Sequence, residues 1–244
     1  MLCPMTDKER SEIQESLLLL YLRLNGYFVT GFIAHSKDKG KNLAEIDALA
    51  VRHPFNREPK REIGPSRFLH PKGADLLVCE VKSRGEPLQF NESFRENDEV
   101  IQDVLAWSGL FDEEETAEIA RNLKPLLQPG VAASAAEIGV PGPRAITIRP
   151  LLCKPELRSR NHTQPWFLNE GEMFRFISDC LNPVVPRADC ASVYSLNCWG
   201  SVLMPFVEYF KKELPPGIYG GIKGLYKYIE THRQRTVNSH SEKR

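Results

Sequence analysis

Charge of one sign is missing from this chain: 32 Lys plus Arg stand against 32 Asp plus Glu, for a formal net charge of +0. That excludes a protein whose whole surface clings to nucleic acid or an anionic membrane, so any such surface has to be local. Long apolar runs are missing too. The longest, Leu17 to Leu22, stops after six residues at Arg23, far short of the ~20 that cross a bilayer. Asp7, Lys8, Glu9 and Arg10 mix signs where a secretory leader is purely basic, and no small-residue cleavage site follows. The expectation is a cytoplasmic protein with no membrane partner. Cys3, Cys79, Cys153, Cys180, Cys190 and Cys198 form no C-x-x-C pair, which argues against a zinc ribbon or a dense disulfide framework. They read as buried thiols. No internal repeat is visible.

What is present suits a packed interior: 244 residues, 41% apolar and 26% charged, enough for one large domain or one and a half small ones. Thr6-x-x-Glu9 has capping-box spacing, and Ile13, Leu17, Leu20, Tyr21 and Leu24 then recur at helical intervals as far as Gly26. The first element is therefore an amphipathic helix. Strands are expected over 27–33, 46–51 and 75–82, the third almost continuously apolar and so central in a sheet. Residues 93–128 pattern as two acid-rich helices broken near Gly109. A loop at 129–143 follows, then a strand over 145–152 and a short one at Trp166-Phe167-Leu168. Helices are expected over 171–181, 193–214 and 218–235. The order predicts an α/β fold with a mixed sheet flanked by helices.

Between the second and third strands, residues 53–74 carry four prolines and the cations Arg57, Lys60, Arg61, Arg67 and Lys72 against only Glu58 and Glu62. This segment is expected to be an extended basic hairpin tip. The three tryptophans, Trp107, Trp166 and Trp199, are expected in the core or at an interface.

The third strand ends Glu80-Val81-Lys82. Alternation puts Glu80 and Lys82 on one face, roughly 6.6 Å apart along the strand. Both follow apolar residues, so their charges begin in a low dielectric and need a partner. The second strand offers Glu45 and Asp47, and an antiparallel pairing would bring one of them beside Glu80. Two carboxylates at that range repel unless a cation lies between them, and Mg²⁺ suits such oxygen donors.

Asp47 and Glu80-x-Lys82, each on its own strand, resemble the PD-(D/E)xK nuclease superfamily. Glu15, Tyr21-Leu22 and Gly26-Tyr27, then Ala44-Glu45-Ile46-Asp47-Ala48-Leu49-Ala50, then Val78 to Arg84 are similar in order and spacing to small bacterial proteins related to Holliday-junction resolvases. The resemblance spans residues 12 to about 84. It implies a restriction-endonuclease-like core over 1–170; within it the basic hairpin at 53–74 is an insertion, and 171–244 is expected to form a helical C-terminal extension packed on the same core. It also implies that Glu15, Asp47 and Glu80 bind Mg²⁺, with Mn²⁺ as a substitute, while Lys82 assists a nucleophilic water. The departures are Ile46 where a proline often precedes the aspartate, the basic insertion, and the C-terminal extension.

Arg57, Lys60, Arg61, Arg67 and Arg84 are the expected nucleic-acid contacts, with DNA the expected substrate. Glu45 is the rival of Asp47. Gln102 falls where some exonuclease relatives carry Q-x-x-x-Y, but Ala106 replaces the tyrosine, so it reads as helix surface. The C-terminal helices are the expected seat of a homodimer or partner-protein contact. The competing functions are a non-cutting nucleic-acid-binding or scaffolding protein on the same fold, and an RNA nuclease or antiviral-defence effector.

Overall fold

The computed structural model describes residues 5–35, 42–56, 62–71, 73–83, 85–158, 166–185 and 199–241, with the side chains of 35, 42 and 233–241 excepted. Helix α1 (Asp7–Leu24) opens with the expected capping box. The Thr6 hydroxyl accepts from the Glu9 N–H, and the Glu9 carboxylate accepts from the Thr6 N–H. It closes at Asn25, after which Gly26 takes φ +84°, a left-handed value that a Cβ would penalise.

The sheet is mixed and, among the described residues, has six strands: β1 (Phe28–His35), β2 (Asn42–Arg52), β3 (Ala74–Val81), β4 (Val140–Pro141), β5 (Ile146–Lys154) and β6 (Phe167–Asn169). Its order is β1-β2-β3-β5-β4, with β6 also paired to β5. The β1–β2, β2–β3 and β4–β5 pairs are antiparallel, whereas β3–β5 and β5–β6 are parallel. As expected, β3 is central and buried along nearly its whole length.

Alternation along β3 divides the core. Leu77 and Cys79 pack in one cluster with Leu17 and Leu18 of α1, and Leu76 and Val78 pack in another with Val100 and Leu105. Helices therefore cover both sides of the sheet. One feature of β2 escaped the alternation rule. Between Thr30↔Leu49 and Phe32↔Ile46, two residues of β2, Asp47 and Ala48, stand against the single Gly31 of β1. This is a β-bulge, and it shifts the phase of the strand: Ala44 and Ile46 pack in the same cluster as Leu49, while Ala48 and Ala50 pack in the other.

The stretch expected as two helices over 93–128 holds three α-helices, α2 (Glu92–Glu96), α3 (Asp98–Trp107) and α4 (Glu113–Leu123), because Asn97 ends one and caps the next. Of the two places expected for it, Trp107 is not in the core. It is 57% exposed at the end of α3, beside Phe32 at 5.6 Å between ring centroids. Trp166 and Trp199 are buried as expected, and so are Cys79, Cys153 and Cys180. The stretch read as a loop at 129–143 contains α5 (Ala133–Ile138) and β4, both too short to leave a periodic signal.

The basic insertion is also different from its expectation where it is described. Residues 62–71 form no strand, and Phe68 and Leu69 are buried, the former stacked on Trp166 at 5.2 Å. Ser66 anchors the segment: its N–H donates to Asn25 Oδ1 at 2.6 Å and its hydroxyl accepts from Tyr21 at 2.7 Å. Two aromatic or aliphatic side chains in a proline-rich stretch thus outweigh its charge, and this part folds back on the core instead of projecting as a hairpin.

In the C-terminal third lie α6 (Glu170–Leu181), α7 (Gly200–Glu208) with a π turn at Tyr209–Glu213, and α8 (Ile222–Ser241). Phe174, Phe206, Phe210 and Leu225 share one cluster with α1. Buried Glu170 ties two of these helices together by accepting the Ile222 N–H at 2.7 Å.

Candidate active site

The sequence reasoning brings Asp47, Glu80 and Lys82 to one place, and the structure does the same. They line a cleft of about 290 Å³ together with Ser11, Glu45, Glu86, Gln89 and Asn91. The geometry follows from the strand pairing. The register Ala48↔Cys79, carried one step further, sets Asp47 opposite Glu80 at the carboxyl end of β3. Asp47 Oδ2 accepts the Val81 N–H at 2.6 Å. Glu80 is 1% exposed and Lys82 6%, and Lys82 Nζ meets Glu80 Oε1 at 2.6 Å. Glu15 of α1 does not line the cleft; its Oε1 accepts, at 3.0 Å, from the hydroxyl of Ser11, which does.

A residue absent from the sequence expectations completes the pair. The Asn91 N–H donates to Glu80 Oε2 at 2.9 Å, and Asn91 Oδ1 accepts from Lys82 Nζ at 2.7 Å. Nothing in the sequence marks it, because Asn91 stands nine residues beyond Lys82 and is returned to it by a loop. Lys154 of β5 holds that loop through the Glu86 carbonyl at 2.6 Å.

The electrostatics are those of a carboxylate surplus. Burial, then the charges of Glu15, Glu80 and Glu45, push the Asp47 carboxyl up to about 7, against the pull of the Val81 N–H. Burial also raises Glu80, in part offset by Lys82 and the Asn91 N–H. Such a set of hard oxygen donors fits Mg²⁺ chemically, and a cation would relieve the repulsion at Asp47. The spacing is less favourable: among the described residues, no three His, Cys, Asp or Glu side chains are grouped so as to hold a metal ion. Both oxygens of Glu80 already accept protein hydrogen bonds.

The expected nucleic-acid residues are not gathered here. Arg57, Lys60, Arg61 and Arg84 lie outside the described residues. Arg67 is exposed, but it lines a separate cleft of about 470 Å³ with Arg175 and the acids Glu62, Glu172 and Asp179. Gln102 does not line the carboxylate cleft. Arg149 is unavailable to a phosphate, since it is buried in a two-pronged ion pair with Asp75, with Nε to Oδ1 at 2.9 Å. Tyr27 also donates to Asp75, and Arg149 Nη1 reaches the Leu69 carbonyl at 2.9 Å.

No family model matches this chain, and no curated protein or solved structure matches it. No helix among the described residues is long and apolar enough to cross a membrane.

Proposed function

We propose that this chain is a metal-dependent nuclease of the PD-(D/E)xK type, with a restriction-endonuclease-like core and DNA as its substrate. The observation that carries the reading is the meeting of Asp47 with the Glu80–Lys82 pair at one cleft, from neighbouring antiparallel strands. The cleft sits at the carboxyl end of β3, where β3 runs parallel to β5. That is the end at which open α/β sheets bind ligands. The same reading puts its work in the cytoplasm.

Asp47 and Glu80, joined in this reading by Glu15 of α1, would hold Mg²⁺, or Mn²⁺ in its place. When bound, such a cation neutralises phosphate charge and acidifies water. The chain's own residues do the rest. Val81 N–H fixes one oxygen of Asp47 and leaves Oδ1 without a hydrogen bond among the described residues. An Asp47 carboxyl raised to about 7 is shared between its protonated and charged forms near neutral pH, and positive charge beside it would favour the charged form. Lys82 spends two N–H donors on Glu80 and Asn91, which leaves the third for a phosphate oxygen or the attacking water.

The test is incubation of the purified protein with supercoiled, linear and single-stranded DNA and with RNA, in Mg²⁺, Mn²⁺ or EDTA. Metal-dependent cutting that disappears in Asp47→Ala and in Glu80→Ala is expected. Cutting retained by Asp47→Ala would overturn the assignment, and its loss in Glu45→Ala alone would move the role to Glu45.

A second reading, a non-cutting nucleic-acid-binding protein, is favoured by one observation. Glu80 is fully engaged by Lys82 and Asn91, as in an ion pair that needs no metal. Binding of labelled DNA without product in any metal would select it.

A further inference from the structure

We propose that Asn91 is a positioning residue that fixes Lys82 as a hydrogen-bond donor in the cleft; as a statement about catalysis, this rests on the nuclease reading above. Asn91 stands at the N-cap of α2, where an asparagine side chain ordinarily accepts an N–H of the first helical turn. Here it makes no such bond. Asn97 and Asn169, at the N-caps of α3 and α6, both do. The Asn91 side chain turns instead to Lys82 Nζ at 2.7 Å, while its main-chain N–H holds Glu80 Oε2. One residue thus grips both members of the pair, by different atoms.

The chemistry of the contact restricts what Lys82 can do. A carboxylate oxygen and an amide oxygen only accept, so Nζ has to donate to both and carry its proton in each case. Two donors of Nζ are then committed. Its third N–H has no partner among the described residues and belongs to a side chain lining the cleft. Removing the Asn91 acceptor leaves Nζ bonded to Glu80 alone, free to swing about that one contact. With it, the third donor is held in one direction. Lys82 serves as a fixed donor to a phosphate or water oxygen.

The test separates the side chain from the main chain. Asn91→Leu keeps the N–H to Glu80 and the side-chain size but deletes the acceptor, and Asn91→Asp restores an oxygen. Loss of an orienting partner typically costs about 10–100-fold, so Asn91→Leu should lower kcat by that factor with KM unchanged, and Asn91→Asp should recover most of it. The second readout is the ¹⁵N ammonium resonance of Lys82, assigned by its disappearance in Lys82→Met. Slow proton exchange keeps it visible in the natural protein and in Asn91→Asp, and Asn91→Leu should broaden it away. Full activity and an unchanged resonance in Asn91→Leu would overturn the inference, as would losses that Asn91→Asp fails to restore. In a protein that cuts nothing, the nuclease reading falls, and the ammonium resonance alone decides whether Asn91 positions Lys82.

Discussion

The Asp47 carboxylate accepts the main-chain N–H of Val81 at 2.6 Å, so the acid of β2 is fastened to the residue that separates Glu80 from Lys82. Two strands are locked at the point where the candidate chemistry gathers. The bond favours the charged form of Asp47, yet burial and the surrounding carboxylates outweigh it and push the carboxyl up to about 7.

An acid raised in the folded state binds its proton more tightly there than in the unfolded chain. Stability is therefore lost as pH rises from the ordinary aspartate range through 7. Asp47→Asn keeps an oxygen for Val81 and removes the charge. Its melting temperature should equal that of the natural protein near pH 4 and exceed it at pH 8 by roughly 2–6 °C, the equivalent of about 1–2 kcal/mol after solvent screening. Scanning calorimetry at both pH values checks this, and a gain of the same size at pH 4 would refute it.

Mg²⁺ bound beside Asp47 should drive off the proton. Titration calorimetry at pH 6.5 in buffers of different ionisation enthalpy should show proton release with the natural protein and none with Asp47→Asn. Binding heat that does not depend on the buffer would separate the metal from Asp47.

Lys82→Met should leave Glu80 buried with the Asn91 N–H as its remaining partner and cost about 3–5 kcal/mol at pH 8. The deficit should shrink as pH falls, because Glu80, already raised by burial, takes up a proton and no longer needs a cation. Adding Glu80→Gln should restore most of the stability in a denaturant-unfolding cycle. If the double variant is no better than Lys82→Met, the two side chains are not coupled.

At the other end of β3, Arg149→Met should strand Asp75, buried against Tyr27, and cost about 3–5 kcal/mol. Neither Asp75 nor Arg149 lines the carboxylate cleft, so cleavage at saturating nucleic acid should survive wherever the variant is folded. Equilibrium unfolding beside the nuclease assay reads both.

For the basic insertion, neutralising Arg57, Lys60, Arg61 and Arg67 together should weaken DNA binding and flatten the slope of log K against log salt by up to about 0.9 per lost duplex phosphate contact. Arg67→Ala alone should leave the slope unchanged, since acids surround it in its own cleft. A slope that the quadruple variant does not alter would remove the insertion from the binding surface.

Local rules explain why α1 and β3 could be read in advance. A capping box, a 3.6-residue apolar period and Gly26 delimit the helix, and an apolar run ending in Glu80-Val81-Lys82 delimits the central strand with its polar end. Each signal is written within a few residues of where it acts. The choice of Asp47 over Glu45 as the partner of Glu80 came from the resemblance, whereas folding decides that β2 and β3 lie side by side and antiparallel.

The bulge at Asp47–Ala48 depends on the pairing of β2 with β1, and Asn91 depends on a loop held by Lys154 of a strand far along the chain. The basic insertion reads as an extended hairpin tip because its charges are obvious in sequence. Its path is set by Phe68 stacking on Trp166 and by Ser66 meeting Asn25 and Tyr21. Composition, period and strand order determined the elements and the acid–lysine motif, since these follow from each residue's own propensity and its near neighbours. Which carboxylates lie close enough to raise Asp47, and which amide oxygen holds Lys82, only the tertiary structure decided, because those energies depend on distance and burial between segments that the chain brings together only by folding.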